Sequence, residues 1–265
     1  MTDNTNYIII NSTFRRNKDS TESNDFIYEL GEVVEVKEIA IKSISIVNAE
    51  YNVKESNKKL IVNNGVADSI LLFPVGQYTI TSLMAELQSL LTTTYGGTVT
   101  VTQNAVNKKV EITSTTPIRF RTNQTDSPMS HIIGLGDNGY EYPEFTQTTI
   151  LAPFLPNLQG ANNYHIVSNT LSQGQGSLLR NNNKQPIIVS VPVNVDFGEV
   201  IQYEVSEIDL NKKTFSRPVN VQDIDIRVYD DDNELVDLNG TPVEIVVQII
   251  KSSVLPFSFQ GTKMM

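Results

Sequence analysis

One amphipathic helix in a chain that otherwise has β patterns constrains the fold more than any other feature. Within GQYTITSLMAELQSLL, residues 76–91, leucines at i, i+4, i+7 and i+8 form a single apolar stripe: Leu83, Leu87, Leu90 and Leu91. Thr79 or Thr81 can cap the start of this helix, and Gly96-Gly97 can end it. Because no regular alternation of strands and helices surrounds it, we expect one inserted helix and not a parallel α/β sheet.

The strand pattern changes parity at one point. Ile39 and Ile41 alternate with polar or small residues, and Ile44 and Ile46 continue on the opposite parity. A shift of one residue moves every later side chain to the other face of a sheet. The sequence therefore predicts either a strand buried on both faces or, as the favoured interpretation, a β-bulge near Lys42–Ser43.

Turn signals divide the rest of the chain into short strands. Asn63-Asn64-Gly65 separates strand patterns at 59–62 and 69–73 and predicts a hairpin turn. A second hairpin follows the helix, with its turn at 104–107, and SPMSHIIGL, residues 127–135, predicts a helical turn. Later alternating patterns bring the total to roughly ten strands with long, irregular connections.

This strand count predicts an all-β fold, a two-sheet antiparallel sandwich of the single jelly-roll type. We predict an N-terminal arm at 1–24 and a jelly-roll domain at 25–265, with an inserted helix–hairpin module at 76–136. Modules of this kind usually sit on a scaffold and serve contact with partners.

Composition and charge exclude several classes of function. The chain has no cysteine, which excludes disulfides, thiolate zinc sites and a cysteine nucleophile. Its net charge is −10, and the segment 196–244 alone has 13 acids and 4 bases. Such a surface repels nucleic acid and anionic lipid. Arg15, Arg16 and Lys18 are too few bases to predict a nucleic-acid site.

The sequence predicts neither a membrane span nor a secretory signal. No run approaches the ~18 apolar residues of a membrane span, and the first residues lack the pattern of a secretory signal. The tail VLPFSFQGTKMM, residues 254–265, is rich in apolar side chains. Two interpretations stay open for it: the tail covers the edge of its own sandwich, or it docks against a neighbouring subunit.

Two motifs resemble ligand-binding patterns, but the residues in and around them do not fit those patterns. GLGDNG, residues 134–139, matches G-x-G-x-x-G, but the dinucleotide fingerprint needs a strand before it and a helix after it, so we interpret it as a turn. The acidic loop DDDNELVDLNG, residues 230–240, fails the EF-hand pattern, because Leu235 stands where that loop needs glycine. A solvated hairpin loop is the favoured interpretation, and a looser calcium site stays open.

The sequence supports no catalytic, cofactor-binding or metal-binding residue. The two histidines, His131 and His165, are far apart and lack metal-ligand spacing, so we expect both to be structural. No G-x-S-x-G motif is present, which leaves a serine hydrolase of the α/β type without support. We therefore expect a protein that is not an enzyme and has no small-molecule substrate.

Four segments in a fixed order resemble one family of viral proteins. They are FIYELGEVVEVKEIAIKSISIVNAEYNV, GQYTITSLMAELQSLL with IIGLG, NNYHIVSNTLS, and VYDDDNELVDLNGTPVEIVVQI. In this order the chain resembles the penton or minor capsid proteins of virophages, Polinton-like viruses and related large DNA viruses. The resemblance covers roughly residues 26–250 and carries over no catalytic residue.

The resemblance implies a structural role in a virion. It implies a single jelly roll with an insertion, present as a homopentamer at each fivefold vertex of an icosahedral capsid and contacting double-jelly-roll major capsid proteins. It also implies synthesis in the host cell cytoplasm or a viral factory. Two other functions stay open: a cell-surface adhesin or carbohydrate-binding sandwich, and a β-sandwich glycosidase with paired carboxylates.

Overall fold

The computed structural model describes residues 5–16, 22–63, 65–122, 126–136, 145–172, 177–178, 184–205 and 213–251. These ranges contain the strands β1 Thr5–Asn11, β2 Asp25–Val47, β3 Lys59–Asn63, β4 Asp68–Leu72, β5 Val99–Gln103, β6 Val110–Phe120, β7 Phe145–Leu151, β8 Asn163–Val167, β9 Ser177–Leu178, β10 Lys184–Gln185, β11 Ile187–Pro192, β12 Val200–Glu204, β13 Lys213–Tyr229 and β14 Val243–Lys251. They also contain the helices α1 Ile80–Tyr95, α2 Met129–Ile132 and α3 Asn169–Ser172, and a 3-10 turn at Ser12–Phe14.

The chain divides into two compact units. One comprises residues 1–50 and 161–265, and we name it the jelly-roll unit. The other comprises residues 51–160, and we name it the insert unit. Each unit has its own cluster of buried apolar side chains.

The jelly-roll unit is organised around the long strand β2. Its seven-stranded sheet has the order β1-β14-β2-β13-β8-β11, and β12 also pairs with β2. All these pairs are antiparallel, with β13 on the first part of β2 and both β12 and β14 on its last part. Alternate residues of β14 lie in the core: Val243, Ile245, Val247 and Ile249.

The parity change in β2 is a β-bulge, as the sequence predicts. On β14, Val246 pairs with Ser43 and the next residue, Val247, pairs with Ile41, so Lys42 has no partner in that register. Ile41 and Ile44 are both buried as a result, although they are three residues apart.

The insert unit packs α1 against a five-stranded antiparallel sheet. The sheet has the order β4-β3-β6-β5, with β7 also paired to β6. Leu83, Leu87 and Leu91 are buried in its core, and Leu90 packs against the core while partly exposed. Thr79 caps α1 in a reciprocal capping box, and Gly96 ends the helix in the left-handed region.

The predicted module 76–136 is part of a larger unit in the structure. That stretch lies within the insert unit, whose sheet also uses β3 and β4 before α1 and β7 after α2. Residues 1–24, for which the sequence predicts an arm, include β1, and every residue of β1 pairs with β14. The inward side chain of Ile10 is fully buried, which accounts for this pairing.

The all-β prediction is confirmed. The sheets of both units are antiparallel, and the architecture is that of a jelly-roll sandwich with an inserted helix-containing module. Among the helices that the structure describes, none has the length and apolar character to cross a membrane.

Candidate functional site

A hydrogen-bonded cluster of polar residues lies on the face of β8 and β11 opposite the core. Ser190 and His165 are cross-strand partners, and the Ser190 Oγ lies 2.8 Å from the His165 Nδ1. On the other side of the ring, the His165 Nε2 lies 3.3 Å from the Asp231 Oδ1. The sequence predicts a structural role for His165, but its local pattern does not bring these three residues together.

Asp231 belongs to the acidic loop, and it holds a backbone turn. Its carboxylate accepts hydrogen bonds from the backbone N–H groups of Asn162 and Asn163 at 2.8 and 3.1 Å, and from the Asn163 side chain at 3.0 Å. Burial alone would raise the pKa of Asp231, but these hydrogen bonds and the nearby His165 outweigh it and lower the pKa. The carboxylate is therefore ionised at neutral pH.

The order Ser190–His165–Asp231 is that of a nucleophile relay, but the surroundings favour a positioning role. A hydrolase also needs donors aimed at the developing oxyanion and a nucleophile presented at a sharp turn or cleft. Ser190 instead lies exposed within a strand. Asp231 directs both oxygens at Asn163, so the cluster anchors the start of β8 to the acidic loop.

The acidic loop folds through its own carboxylates. Asp230 is buried and accepts hydrogen bonds from the backbone N–H groups of Asp232 and Glu234 at 2.9 and 2.8 Å. Asn233 adopts a positive φ of 65° between them. In the described residues, no group of three or more histidine or acidic side chains could hold a metal ion. The loop is a hydrogen-bonded turn that is only partly solvated, because Asp230 and Leu238 are buried.

His131 and the GLGDNG motif lie at a close approach of two backbones. His131 is in α2, and its Nδ1 is buried without a hydrogen-bond partner in the part of the chain that the structure describes. Gly134 has φ of 81°, and a Cβ there would lie 2.5 Å from the carbonyl oxygen of Phe154. This glycine is required by packing, which supports the turn interpretation; residues 137–139 of the motif lie outside the described residues.

The basic residues near the N-terminus contact their own unit. Arg16 forms ion pairs with Glu29 at 3.0 Å and with Asp223 at 3.4 Å, and its backbone N–H bonds to Ile27. Arg15 donates to the carbonyl oxygen of Ser12. Lys18 lies outside the described residues. These contacts favour a structural role for the two arginines.

A small cleft lies beside the first strand. It has a volume of about 280 Å³ and is lined in part by Tyr7, Tyr28 and Leu30. Lys251 and Glu32, 3.5 Å apart, form an ion pair at its wall. Ligand pockets usually measure about 300–1,000 Å³ and enclose most of the ligand, so this cleft is smaller than a usual ligand pocket.

Both ends of the insertion are tied within each unit. In the jelly-roll unit, the Tyr164 hydroxyl donates to the Asn48 Oδ1 at 3.0 Å, joining the segments on either side of the insertion. In the insert unit, the Asn52 side chain donates to the carbonyl oxygens of Tyr78 and Leu158 at 2.8 and 3.2 Å. The chain therefore leaves one unit and returns to it at neighbouring points.

Two edge strands expose apolar side chains. On β1, Tyr7 and Ile9 are 61% and 56% exposed; on β4, Ile70 and Leu72 are 56% and 55% exposed. Each pair lies at i and i+2 on the face opposite the core of its unit. The sequence predicts the strand at 69–73 and strand character at 7–10, but it does not show which strands end a sheet.

The comparisons with known proteins bear on the fold. No protein-family model and no curated protein matches the chain. The crystal structure of the selenomethionine-labelled penton protein of mavirus is similar to it, with a TM-score of 0.50 and 14% identity, covering 93% of this chain and 100% of that one. At this identity the likeness concerns the fold alone. It extends over nearly the whole chain, so this protein shares the overall fold of a viral penton protein.

Proposed function

We propose that this protein is a structural virion protein that forms the pentameric vertex capsomer, the penton, of an icosahedral capsid. The observation that carries this proposal is the likeness of nearly the whole chain, jelly roll and insertion together, to the mavirus penton protein. The proposal includes contact with double-jelly-roll major capsid proteins around the vertex, which the resemblance of the four sequence segments implies.

The physical character of the chain supports this role. In a ring of five copies, each copy uses two different surfaces. The first surface of one copy contacts the second surface of the next copy. The exposed apolar edges β1 and β4 are different surfaces of this kind. The polar clusters around Asp231 and Asp230 are engaged in holding the fold. The features of the described residues thus favour assembly over catalysis.

The test is assembly with and without the shell. The purified chain is examined by size-exclusion chromatography with light scattering, and it is also co-expressed with the double-jelly-roll major capsid protein of the genome that encodes it. We expect a species of five times the 29.5 kDa chain mass, or particles whose fivefold vertices hold this chain in cryo-electron microscopy. A chain that stays monomeric and never enters particles contradicts the proposal.

A glycan array with the same preparation tests the competing adhesin function. The penton proposal expects pentamers or vertex occupancy whether or not a glycan binds. Specific glycan binding by a monomer that is absent from particles would favour the carbohydrate-binding module instead.

A further inference from the structure

We propose that neighbouring copies of this protein join edge to edge, with β1 of one copy pairing with β4 of the next. The inference rests on the proposed function, because it names the surfaces through which a ring of copies would close. The partner is a second copy of this chain, and the contact unites a sheet of its jelly-roll unit with the sheet of a neighbour's insert unit.

The first edge is β1, whose seven residues all pair with β14 on one side. In the described part of the chain, no strand pairs with its other side. Its outward side chains are apolar where they are most exposed, at Tyr7 and Ile9. Val246 pairs with Ile9 and extends this apolar face onto β14.

The second edge is β4, which pairs with β3 over five residues and ends the order of its sheet. Ile70 and Leu72 point away from the core, while Leu71 between them is buried. Ile70 pairs across the sheet with Ile61, which lies on the same face but is buried, so the exposed apolar side chains of this face are those of β4. The face therefore presents aliphatic side chains at the same two-residue spacing as β1.

Within the described residues, which do not include the tail 254–265, neither edge carries the usual devices that prevent pairing. Natural edge strands are protected by lysine, proline, bulges or short length. The sequence of β1, TNYIIIN, has no charge and no proline. In β4, DSILL, the one charge is Asp68 at the first residue, and it is bound by the Arg121 Nε and the Asn63 Nδ2. An unprotected edge of this kind is a template for another strand.

Charge disfavours the pairing of two β1 edges. By sequence, the jelly-roll unit has 13 bases and 22 acids, whereas the insert unit has 7 bases and 8 acids. Glu244 pairs with Asn11 of β1 on the same face as Ile9. Lys59 and Arg119 lie on the face of Ile70, as cross-strand partners of Leu72 and Asn63. Two β1 edges would bring together two units with a net charge of −9 each, whereas β1 against β4 sets one such unit against a unit with a net charge of −1.

The different character of the two edges also fits a ring. A contact between unlike surfaces is heterologous, and its repetition gives a closed ring when the rotation closes. A contact between two β1 edges would be isologous and would stop at a dimer. The edge pairing proposed here therefore agrees with a pentamer and not with a simple dimer.

The absence of cysteine from the natural chain makes a crosslinking test direct. Ile9→Cys and Ile70→Cys are made singly, mixed, and treated with a short bismaleimide, which tolerates the unknown register. We expect covalent dimers in the mixture and none in either single variant. The doubly substituted chain should give a ladder of products that ends at five copies.

Matched controls use exposed apolar residues away from both edges. Val200→Cys is on β12, which β14 and β2 separate from β1 in the sheet, and Val106→Cys is in the β5–β6 turn; the two valines are 48% and 92% exposed. In the same mixing experiment, these should give at least tenfold less crosslinked product. Equal product from controls and edge variants would overturn the proposal, and so would dimers formed by Ile9→Cys alone.

Failure of the edge pairing can be distinguished from failure of the penton function. If the unmodified chain is pentameric or occupies vertices and the edge cysteines do not crosslink, the pairing of β1 with β4 is wrong and the penton role stands. If the chain neither assembles nor enters particles, the penton role fails. As a second measurement, Ile9→Lys and Ile70→Lys should each abolish assembly while the thermal unfolding of the monomer stays unchanged. Val200→Lys should leave both assembly and thermal unfolding unchanged.

Discussion

Tyr164 donates a hydrogen bond from its hydroxyl to the Asn48 side chain at 3.0 Å, and this contact joins the two points where the jelly-roll unit is interrupted. Tyr164 is 1% exposed, and its ring lies in the core of that unit. The Asn48 side chain also donates to the carbonyl oxygen of Val195 at 2.9 Å. The interruption is thus closed by side chains of the jelly-roll unit itself.

We predict that a variant with residues 51–160 replaced by a short Gly/Ser linker folds. The segments next to the insertion are already held together by Tyr164 and Asn48, so a short loop can bridge them at low entropic cost. Circular dichroism and a cooperative thermal transition are the measurements. An unfolded or molten product would show that the jelly-roll unit depends on the insert unit.

A shorter deletion serves as the control for this variant. Removing only residues 76–136 takes away α1, β5 and β6 but leaves β3 and β4 without their helix and central strand. That variant should keep the jelly-roll transition but expose apolar surface from 51–75, and we expect it to bind a hydrophobic dye and aggregate. Equal behaviour of the two deletions would contradict the unit boundaries at 51 and 160.

We predict that Leu87→Ala destabilises the insert unit by about 2–5 kcal/mol, because the leucine is fully buried and its removal leaves a cavity. Leu90→Ala should cost clearly less, since Leu90 is only partly buried. Denaturant unfolding of the full chain should show the Leu87→Ala loss in one of two transitions. A uniform shift of both transitions would argue against separate units.

Local signals account for the parts of the fold that the sequence predicts correctly. The bulge at Lys42 follows from the parity of four isoleucines, and the helix start follows from Thr79, whose side chain accepts from the Ser82 backbone N–H. Both depend on neighbours within a few residues. The bulge and the helix start can therefore be predicted from the sequence without any knowledge of tertiary structure.

The contacts that the sequence does not predict join residues that are far apart in the chain. The contact between His165 and Ser190 needs the pairing of β8 with β11, and Asp231 comes from a loop 66 positions after His165. Nothing in the local pattern specifies these partners. The exposed edge at Ile70 likewise depends on a long-range pairing. Strand β3 pairs with β4 on one side and, on the other, with β6, which follows α1 in the chain, and this leaves β4 at the end of the sheet.

We predict that Gly134→Ala destabilises the protein by about 1–3 kcal/mol. The residue has φ of 81°, and the new Cβ would lie 2.5 Å from the backbone carbonyl oxygen of Phe154, so both strain and overlap oppose the change. Gly160→Ala is the control, because a Cβ there meets no atom within 4 Å. Thermal unfolding of the two variants is the measurement, and equal melting temperatures would contradict the close approach at Gly134.

The half-buried carboxylate of Asp225 makes the stability of the jelly-roll unit sensitive to acid. Burial alone would raise the pKa of Asp225, but hydrogen bonds from the backbone N–H groups of Thr170 and Asn169, at 2.8 and 2.9 Å, and from the Ser168 hydroxyl outweigh it. The pKa in the folded protein is therefore below its ordinary value. The carboxylate thus holds the first turn of α3 against β13.

The sign of the pH dependence follows from this lowered pKa. The stabilisation is fully present above the unfolded-state pKa of about 3.9 and is lost as the pH falls through the lower folded-state pKa. We expect Asp225→Asn to cost about 1.5–3 kcal/mol at pH 7, since it removes hydrogen bonds to a charged acceptor. The difference in the free energy of unfolding between variant and wild type should shrink as the pH falls below about 4.

Asp232→Asn, in the exposed part of the acidic loop, is the control and should change the free energy of unfolding much less. Denaturant unfolding at pH 7 and pH 3 measures both variants, and a loss that is equal at the two pH values would contradict a role for the ionised Asp225.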